Sequence, residues 1–172
     1  IKIDNPILKK HLTGKTVLIT GAAGSIGSEI ARQVSNYDYK SLVLLDQAES
    51  ALYDLQQNFK RDEIENFEVE LADIRNEERL THLFENYDFD IILHAAAYKH
   101  VPLMESNPYE ALRVNVFGSS LLMRMAMKYG VEKFIMVSTD KAVNPTNVMG
   151  ATKRVAEIYA NCLNTQGKTK FV

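Results

Sequence analysis

Several features are scarce in these 172 residues, and each scarcity excludes a class of protein. The single cysteine, Cys162, can form neither an internal disulfide nor a cysteine-rich zinc site. Twenty Lys and Arg against 22 Asp and Glu leave a formal charge of -2, so there is no electrostatic case for binding nucleic acid or an anionic membrane. Apolar runs are short, that at 91–97 being typical, and none approaches the roughly 18 residues of a membrane span.

The two ends of the chain indicate a piece of a longer protein. The sequence begins at Ile1 without an initiator Met, a signal peptide or a transit peptide, and residues 168–172 are typical of a strand that is cut short. An average domain has about 150 residues, so length alone indicates roughly one domain. Given the cut strand, we expect residues 1–11 to be a lead-in and residues 12–172 to be a ligand-binding domain whose C-terminal, substrate-binding part is missing. We expect a cytoplasmic location, or the cytoplasmic face of the inner membrane if an anchor precedes Ile1.

Short apolar, β-branched runs alternate with longer helical segments along the chain. Runs that are apolar on both faces are typical of strands buried between helices, and the alternation predicts a doubly wound, Rossmann-like parallel sheet of the α/β class. Strands are predicted at 16–20, 41–46, 67–71, 91–95 and 133–138, with a truncated sixth strand near 168. Helices are predicted at about 25–35, 50–60, 76–86, 108–129 and 148–163.

The segment between the first predicted strand and the first predicted helix is rich in glycine. Residues 21–27 read GAAGSIG, one residue wider in the first gap than the dinucleotide fingerprint. Gly21 permits a tight turn, Gly24 lets the backbone approach phosphate, and Gly27 lets the helix pack on the strand. Backbone N–H groups at a helix N-terminus favour a pyrophosphate. The residues predicted to bind a dinucleotide here are Gly21, Ala23, Gly24, Ser25, Ile26 and Gly27.

Acidic residues follow the second and third predicted strands. Asp46 lies about 20 residues beyond the glycine loop, where a carboxylate can accept the hydroxyls of the adenosine ribose and would repel a 2′-phosphate. This position favours NAD over NADP, although a turn Asp is the alternative. Asp73 and Ile74 lie where an adenine contact is expected, and a helix N-cap explains Asp73 almost as well.

The fourth predicted strand ends in small residues followed by two basic ones. Ala95, Ala96 and Ala97 leave room for a nicotinamide ribose and a pyrophosphate, with tight helix packing as the alternative. Lys99 and His100 can meet an anionic substrate or be solvated loop residues. His94 in an apolar strand is more often a core imidazole, and the spacing of the four His residues predicts no metal site.

The fifth predicted strand ends in a dense set of acid and base groups. Thr139, Asp140 and Lys141 supply a hydroxyl, a carboxyl and an ammonium side by side, the groups that proton transfer requires. Met149 and Lys153 are four residues apart, so one helix face presents both to the same site. The alternative is a surface ion pair between Asp140 and Lys141 and a solvated Lys153.

The glycine loop, Asp46 and the residues that follow the fourth and fifth predicted strands together resemble the extended short-chain dehydrogenase/reductase superfamily. Within it, KHVPLME at 99–105 and STDKAVNPTN at 138–147 resemble the nucleotide-sugar 4,6-dehydratases of bacterial capsule, O-antigen and glycan biosynthesis, whose usual substrate is UDP-N-acetylglucosamine. The resemblance covers about 12–163, and these two motifs are far more specific than the glycine loop. It implies that Asn115 and Ser138 belong to the cofactor site and Asn144 to the substrate site.

One departure from the superfamily narrows the resemblance. The superfamily places a proton-accepting Tyr four residues before its Lys, whereas Met149 stands there in this chain, and a thioether cannot accept that proton. The membrane-anchored branch of the dehydratases carries Met at this position. The resemblance implies that Thr139, Asp140 and Lys141 carry the proton transfers in that branch.

The resemblance also implies a reaction. Oxidation at sugar C4 acidifies the C5 hydrogen, which Lys141 removes while Asp140 protonates the departing C6 hydroxyl; hydride then returns to C6 and NAD is regenerated. Thr139 binds or relays the C4 hydroxyl proton, Lys153 holds the nicotinamide ribose, and Lys99 contacts substrate phosphate. A desolvated site could make Lys141 neutral and Asp140 protonated, as these roles require.

Other readings stay open at the level of sequence. A nucleotide-sugar epimerase of the same superfamily would invert C4 or C5 without loss of water. A module that binds NAD without turnover is the third possibility, because Met149 replaces the usual Tyr. We expect a UDP-sugar as substrate and a homo-oligomer paired through the helices at 108–129 and 148–163, but no nucleic-acid partner.

Overall fold

Six parallel strands form one sheet in the computed structural model, which describes residues 6–172. The strand order is β3-β2-β1-β4-β5-β6, which confirms the predicted doubly wound sheet. The strands are β1 (Thr16–Thr20), β2 (Ser41–Asp46), β3 (Phe67–Leu71), β4 (Ile91–His94), β5 (Lys133–Met136) and β6 (Lys170–Phe171). Because the chain order reverses beside β1, the carboxyl ends of β1 and β4 form the crevice where ligands of such sheets bind.

The central strands are buried on both faces, as their composition predicts. All five residues of β1 are buried, and so are the four central residues of β2. Leu18 packs into one hydrophobic cluster, on the face covered by the helices at 77–86 and 119–128, whereas Val17 and Ile19 pack into a second cluster on the opposite face. The sheet is therefore a rigid platform whose strand ends hold the loops of the site.

One short helix precedes β1, and the other helices connect successive strands. They are α1 (Pro6–Leu12), α2 (Ser25–Val34), α3 (Glu49–Arg61), α4 (Glu77–Asn86), α5 (Val101–Ser106), α6 (Pro108–Ala111), α7 (Ser119–Lys128) and α8 (Val148–Leu163). A 3-10 turn spans Asp140–Ala142. The helix α1 lies in the predicted lead-in, of which residues 1–5 fall outside the described residues, and α5 lies in a predicted loop. Both are too short to produce a periodic apolar pattern.

The predicted continuous helix at 108–129 is interrupted by a π-helical stretch at Leu112–Gly118. A Cβ on Gly118 would lie 2.9 Å from Cδ1 of Ile74, so this glycine lets the helix press against the loop that follows β3. The widened turn also contains Asn115, whose buried side chain faces the loop after β4. π-Bulges of this kind often occur at functional sites.

Neither a membrane span nor a metal cluster is found among residues 6–172. No helix in that range is long and apolar enough to cross a bilayer. Likewise, no three His, Cys, Asp or Glu side chains there are grouped as a metal ion would require.

Candidate active site

The glycine loop between β1 and α2 is shaped by contacts with its own chain. Gly21 has φ of +68°, and a Cβ there would lie 2.5 Å from the Ala96 nitrogen, so only glycine fits. A Cβ on Gly27 would lie 2.0 Å from the Gly21 carbonyl oxygen. Gly24 differs, because its Cβ would meet only the Gly21 carbonyl oxygen, at 3.3 Å, and its φ is −73°. An added Cβ at this exposed position would press on a single backbone atom, a much smaller steric conflict than at Gly21 or Gly27.

A cleft of about 240 Å³ opens at the carboxyl ends of β1, β2, β3 and β4. The predicted cofactor residues that line it are Gly21, Ala23, Gly24, Asp46, Asp73, Ile74, Ala95, Ala96 and Ala97. Ser25 and Ile26 are exposed on the first turn of α2, and Gly27 is buried beneath the loop. The sequence reasoning missed Tyr98 and Val114 in the wall, since neither carries a motif signal. The small residues of the cleft wall and the helix N-terminus beside it fit a dinucleotide.

Asp46 links the second strand to the glycine loop. Its Oδ2 accepts a hydrogen bond from the Ala23 N–H at 2.9 Å, and its Oδ1 accepts one from the Ala48 N–H at 3.0 Å. The second bond is the turn contact that was the alternative for this residue. Both bonds fix the carboxylate at the edge of the cleft, where the two ribose hydroxyls of a dinucleotide would be recognised.

Asp73 is held by an arginine two residues later. The Arg75 guanidinium donates to Oδ2 from Nη2 at 2.6 Å and to both carboxylate oxygens from Nε at 2.9–3.0 Å, and it lowers the pKa of Asp73. Arg75 also donates to Glu110 on α6 at 3.1 Å. The N-cap reading of Asp73 is wrong, because Asn76 caps α4 by accepting from the Arg79 N–H. Asp73 is left as a fixed anion in the cleft wall.

His94 is a fully buried core residue at the end of β4. Its Nδ1 lies 2.6 Å from the Thr20 hydroxyl on β1, and its Nε2 lies 2.8 Å from the Ser119 hydroxyl on α7. Burial, together with a smaller effect of the positive charge of Lys153, lowers the pKa of His94 to about 3, so the imidazole is neutral. The ring joins the strands that carry Gly21 and Ala95.

The two basic residues after β4 point to different places. The Lys99 ammonium donates to the Ser25 hydroxyl at 3.2 Å, which brings its charge to the glycine loop and the start of α2. His100 is exposed at the N-terminus of α5 and makes no side-chain cap hydrogen bond there. Of the two, Lys99 is placed where it can meet a pyrophosphate.

Asn115 lies beneath the loop after β4 and holds it through both side-chain atoms. Its Oδ1 accepts from the Tyr98 N–H at 2.8 Å, and its Nδ2 donates to the Tyr98 carbonyl at 3.0 Å. The same Nδ2 donates to the Thr152 hydroxyl on α8 at 3.0 Å. Asn115 is 1% exposed, so in this structure it shapes the cofactor cleft through Tyr98.

Lys153 and Met149 lie on the buried face of α8. The Lys153 ammonium donates to the Val137 carbonyl at 2.6 Å, just beyond β5, and burial lowers its pKa to about 8. The reading of Lys153 as a solvated charge is therefore wrong. Met149 packs with Met104 and Ala111 in a small apolar cluster. Their spacing does place both on one face, as predicted.

Thr139, Asp140 and Lys141 meet on an exposed edge. The Thr139 hydroxyl donates to Asp140 at 2.9 Å, and the Lys141 ammonium lies 3.5 Å from the same carboxylate oxygen. The Asp140 side chain is 88% exposed, and the Thr139 hydroxyl and the charge of Lys141 lower its pKa. The desolvated environment considered for Asp140 is therefore not provided by the described residues. Asn144, also predicted to bind substrate, is exposed beyond this turn.

The whole arrangement is that of a short-chain dehydrogenase/reductase fold with a nucleotide cleft. Residues 17–172 match the family described as "Polysaccharide biosynthesis protein", and the chain belongs to that family. It is 46% identical over 176 residues to the capsular polysaccharide biosynthesis protein CapD of Staphylococcus aureus, covering 100% of this chain and 29% of that protein. It is 34% identical over 162 residues to an inverting UDP-N-acetylglucosamine 4,6-dehydratase of Campylobacter jejuni, covering 92% of this chain and 47% of the enzyme.

Solved structures share the fold. Pen from Bacillus thuringiensis superposes with a TM-score of 0.85 at 33% identity, over 93% of this chain and 49% of that one. A UDP-glucose 4-epimerase from Brucella ovis in complex with NAD has a TM-score of 0.78 at 23% identity, over 92% of this chain and 50% of that one. The chain thus spans about half the length, or less, of these relatives. The predicted superfamily is confirmed.

Proposed function

We propose that this chain is the cofactor-binding part of a nucleotide-sugar 4,6-dehydratase that acts in polysaccharide biosynthesis. The observation that carries the proposal lies at the end of β5. There Thr139 is hydrogen-bonded to Asp140, Asp140 is paired with Lys141, and the buried Lys153 is bonded to the carbonyl of Val137 in the same segment. Family membership and the 34% identity to a 4,6-dehydratase support the same class. Met149, which stands in the superfamily's Tyr position, leaves proton transfer to the exposed series.

NAD is the cofactor we propose for the cleft. The glycine loop would hold the pyrophosphate, Asp46 the adenosine ribose, and Asp73 with Ile74 the adenine. Lys153 would hold the nicotinamide ribose. NAD fits better than NADP because Asp46 would repel a 2′-phosphate, and because Arg75 is already paired with Asp73 and Glu110. When bound, the nicotinamide would take a hydride from sugar C4 and return it to C6.

The side chains of this chain would carry the protons. The C4 hydroxyl loses its proton to Asp140 through the Thr139 hydroxyl, along the 2.9 Å hydrogen bond between them. Lys141 must first release its ammonium proton to solvent; the free amine then removes the C5 proton and later returns it there, while Asp140 delivers its proton to the departing C6 hydroxyl, which leaves as water. Every proton is accounted for, since the one lost at C4 is the one that leaves with the C6 oxygen.

Substrate and partner assignments belong to the same proposal. The relative from Campylobacter jejuni acts on UDP-N-acetylglucosamine, and we propose this UDP-sugar as the substrate. Lys99, at the glycine loop, has a charge that suits a phosphate of the cofactor or of the sugar nucleotide. We also propose a homo-oligomer, because the outer faces of the 108–128 and α8 helices expose large apolar side chains. These are Tyr109, Phe117, Val155 and Ile158.

An epimerase is the second candidate, because nucleotide-sugar epimerases share this fold. The mass of the product separates the two. The native full-length protein, incubated with NAD and UDP-N-acetylglucosamine, should yield a 4-keto product that is lighter than the substrate by one water. A product of unchanged mass would favour the epimerase, and unchanged substrate alone would contradict both enzymatic readings.

A further inference from the structure

Glu157 bridges two partners on the surface of α8, and no part of the proposed reaction uses it so far. One carboxylate oxygen accepts a hydrogen bond from the Ser138 hydroxyl at 2.5 Å. The other oxygen accepts from the Arg154 guanidinium at 3.0 Å. The side chain is 23% exposed, so it is partly withdrawn from water. Although partial burial alone would raise the pKa of Glu157, the hydrogen bonds from Ser138 and Arg154 lower it, and the group is ionised at neutral pH.

The two contacts of α8 with the end of β5 are one helical turn apart. Lys153 donates to the Val137 carbonyl, and Glu157 accepts from Ser138, the next residue along the chain. Thr139 follows directly. The segment that leaves the strand and carries the acid and base groups is therefore attached to the helix at two successive residues, first through a backbone atom and then through a side chain.

We propose that Glu157 is a positioning residue, whose carboxylate holds the Ser138 hydroxyl and so fixes the segment at 139–141 relative to Lys153. This inference rests on the proposed function, in which that segment carries the reacting groups. A reacting group displaced by about 1 Å can cost a hundredfold in rate, so a short hydrogen bond one residue before Thr139 is well placed to matter.

Glu157 also supplies charge beside a buried cation. Burial lowers the pKa of the Lys153 ammonium, and the carboxylate of Glu157 opposes that shift. The other titratable group that interacts with Lys153, among the described residues, is His94 on β4, which is neutral and so contributes no charge. The carboxylate therefore helps to keep Lys153 protonated at neutral pH, the form that donates to the Val137 carbonyl and could donate to a ribose hydroxyl.

Substitutions at Glu157 and Ser138 separate the effect of their hydrogen bond from the effect of the carboxylate charge. Glu157→Gln can still accept from Ser138 but has no charge, Ser138→Ala removes the hydrogen bond and keeps the charge, and Glu157→Ala removes both. Arg154→Gln is the matched control, because it breaks the exposed ion pair on the same helix and leaves both functions of Glu157 intact.

Two measurements test the proposal. The first is the pKa of Lys153, followed by NMR of the chain labelled with ¹³C at lysine Cε. It should fall by about one unit in Glu157→Gln and Glu157→Ala, and it should stay in place in Ser138→Ala and Arg154→Gln. The second is turnover of the native full-length protein. Its kcat should drop about 10- to 100-fold in Ser138→Ala and Glu157→Ala, with KM for the sugar nucleotide unchanged and Arg154→Gln at the wild-type rate.

The outcomes distinguish this inference from the proposed function. If Glu157→Ala leaves both the Lys153 pKa and kcat at wild-type values, the positioning role is overturned. A parallel loss of folded protein in Glu157→Ala and Arg154→Gln, with no change in the Lys153 pKa, would also overturn it, because the helix surface alone would be responsible. If the wild-type protein forms no 4-keto product, the proposed function fails, while the NMR measurement still decides whether Glu157 acts on Lys153.

Discussion

The Thr139 hydroxyl donates a 2.9 Å hydrogen bond to the Asp140 carboxylate, and this contact joins two neighbouring side chains into a proton path. The path lies on an exposed edge, where the same hydrogen bond and the Lys141 ammonium favour the ionised carboxylate. An ionised Asp140 can receive a proton but cannot deliver one until it has done so. The order of events proposed above, with C4 oxidation before loss of the C6 hydroxyl, follows from this protonation state.

Removing the acid or the base should stop dehydration without preventing cofactor binding. Asp140→Asn and Lys141→Ala should each lower the rate of 4-keto product formation by about 100-fold or more, because the proposed reaction assigns these proton transfers to these two side chains. Calorimetric titration with NAD should give wild-type affinity for both. Asp88→Asn is the control, since Asp88 is exposed just before β4, at the opposite end of the sheet. Full product formation by both site variants would show that neither group carries these proton transfers. Binding of NAD with no product from the wild type would instead favour a module that binds NAD without turnover.

Alanine substitutions at two loop glycines should have opposite consequences. Gly27→Ala should destabilise the fold by about 1–3 kcal/mol, because its Cβ would lie 2.0 Å from the Gly21 carbonyl oxygen. Gly24→Ala should lower the melting temperature much less than Gly27→Ala does and should weaken NAD binding, since its Cβ would meet only the Gly21 carbonyl oxygen, at 3.3 Å. Thermal melts and NAD titrations of both variants check this. Equal NAD affinity in Gly24→Ala and the wild type would mean that the phosphate does not approach the loop there.

His94 should make the fold sensitive to acid. Its pKa is lowered from 6.5 to about 3 in the folded protein, so the unfolded chain binds the proton more readily and stability is lost as the pH falls below 6.5. We expect the free energy of unfolding to fall by about 2 kcal/mol between pH 7 and pH 5 from this group alone. Urea titrations at the two pH values, on the wild type and on His94→Asn, measure it. The same loss in both proteins would assign the acid sensitivity to other groups.

Lys153 should strengthen NAD binding but lower the stability of the fold. Its pKa is lowered from 10.5 to about 8, so burial of the ammonium costs about 3 kcal/mol at pH values below 8. Lys153→Met removes this burial cost, but it also removes the hydrogen bond to the Val137 carbonyl, which is worth about 1 kcal/mol. The variant should therefore be about 2 kcal/mol more stable than the wild type at pH 7 and bind NAD more weakly.

The pH dependence supplies the check on Lys153. As the pH rises, the folded protein releases the Lys153 ammonium proton before the unfolded chain does. The difference in free energy of unfolding between the less stable wild type and Lys153→Met therefore shrinks from pH 8 toward pH 10.5. Urea titrations of wild type and Lys153→Met at pH 7 and pH 10 measure the difference. A wild type that is more stable than the variant at pH 7 would contradict the assigned burial cost.

Much of the fold could be predicted because buried parallel strands have a distinctive composition. β1 and β2 are apolar on both faces, and the glycine loop follows directly from the first of them. The interruption at Leu112–Gly118 could not be predicted, because a seven-residue stretch is fewer than two turns and is too short to establish a different apolar period within a long helix. Asn115, inside that stretch, therefore gave no indication that it holds the backbone of Tyr98.

The sequence predicted which residues belong to the site better than it predicted how exposed those residues are. The residues that follow β1, β2, β3 and β4 do gather around one cleft, because parallel strands end at one edge of the sheet. The exposure of Asp140 could not be predicted, since burial depends on what covers a loop and not on the residues within it. Glu157 was missed for a related reason, as its contact with Ser138 joins a helix to a strand end 19 positions away.

Isotope transfer tests the central claim most directly. The native full-length protein should be incubated with NAD and UDP-N-acetylglucosamine carrying deuterium at C4, and the product analysed by NMR and mass spectrometry. Dehydration with protons carried by Thr139, Asp140 and Lys141 predicts a 4-keto product that has lost one water and carries the deuterium at C6. A product that keeps all its oxygen atoms, or one with no deuterium at C6, would contradict the account.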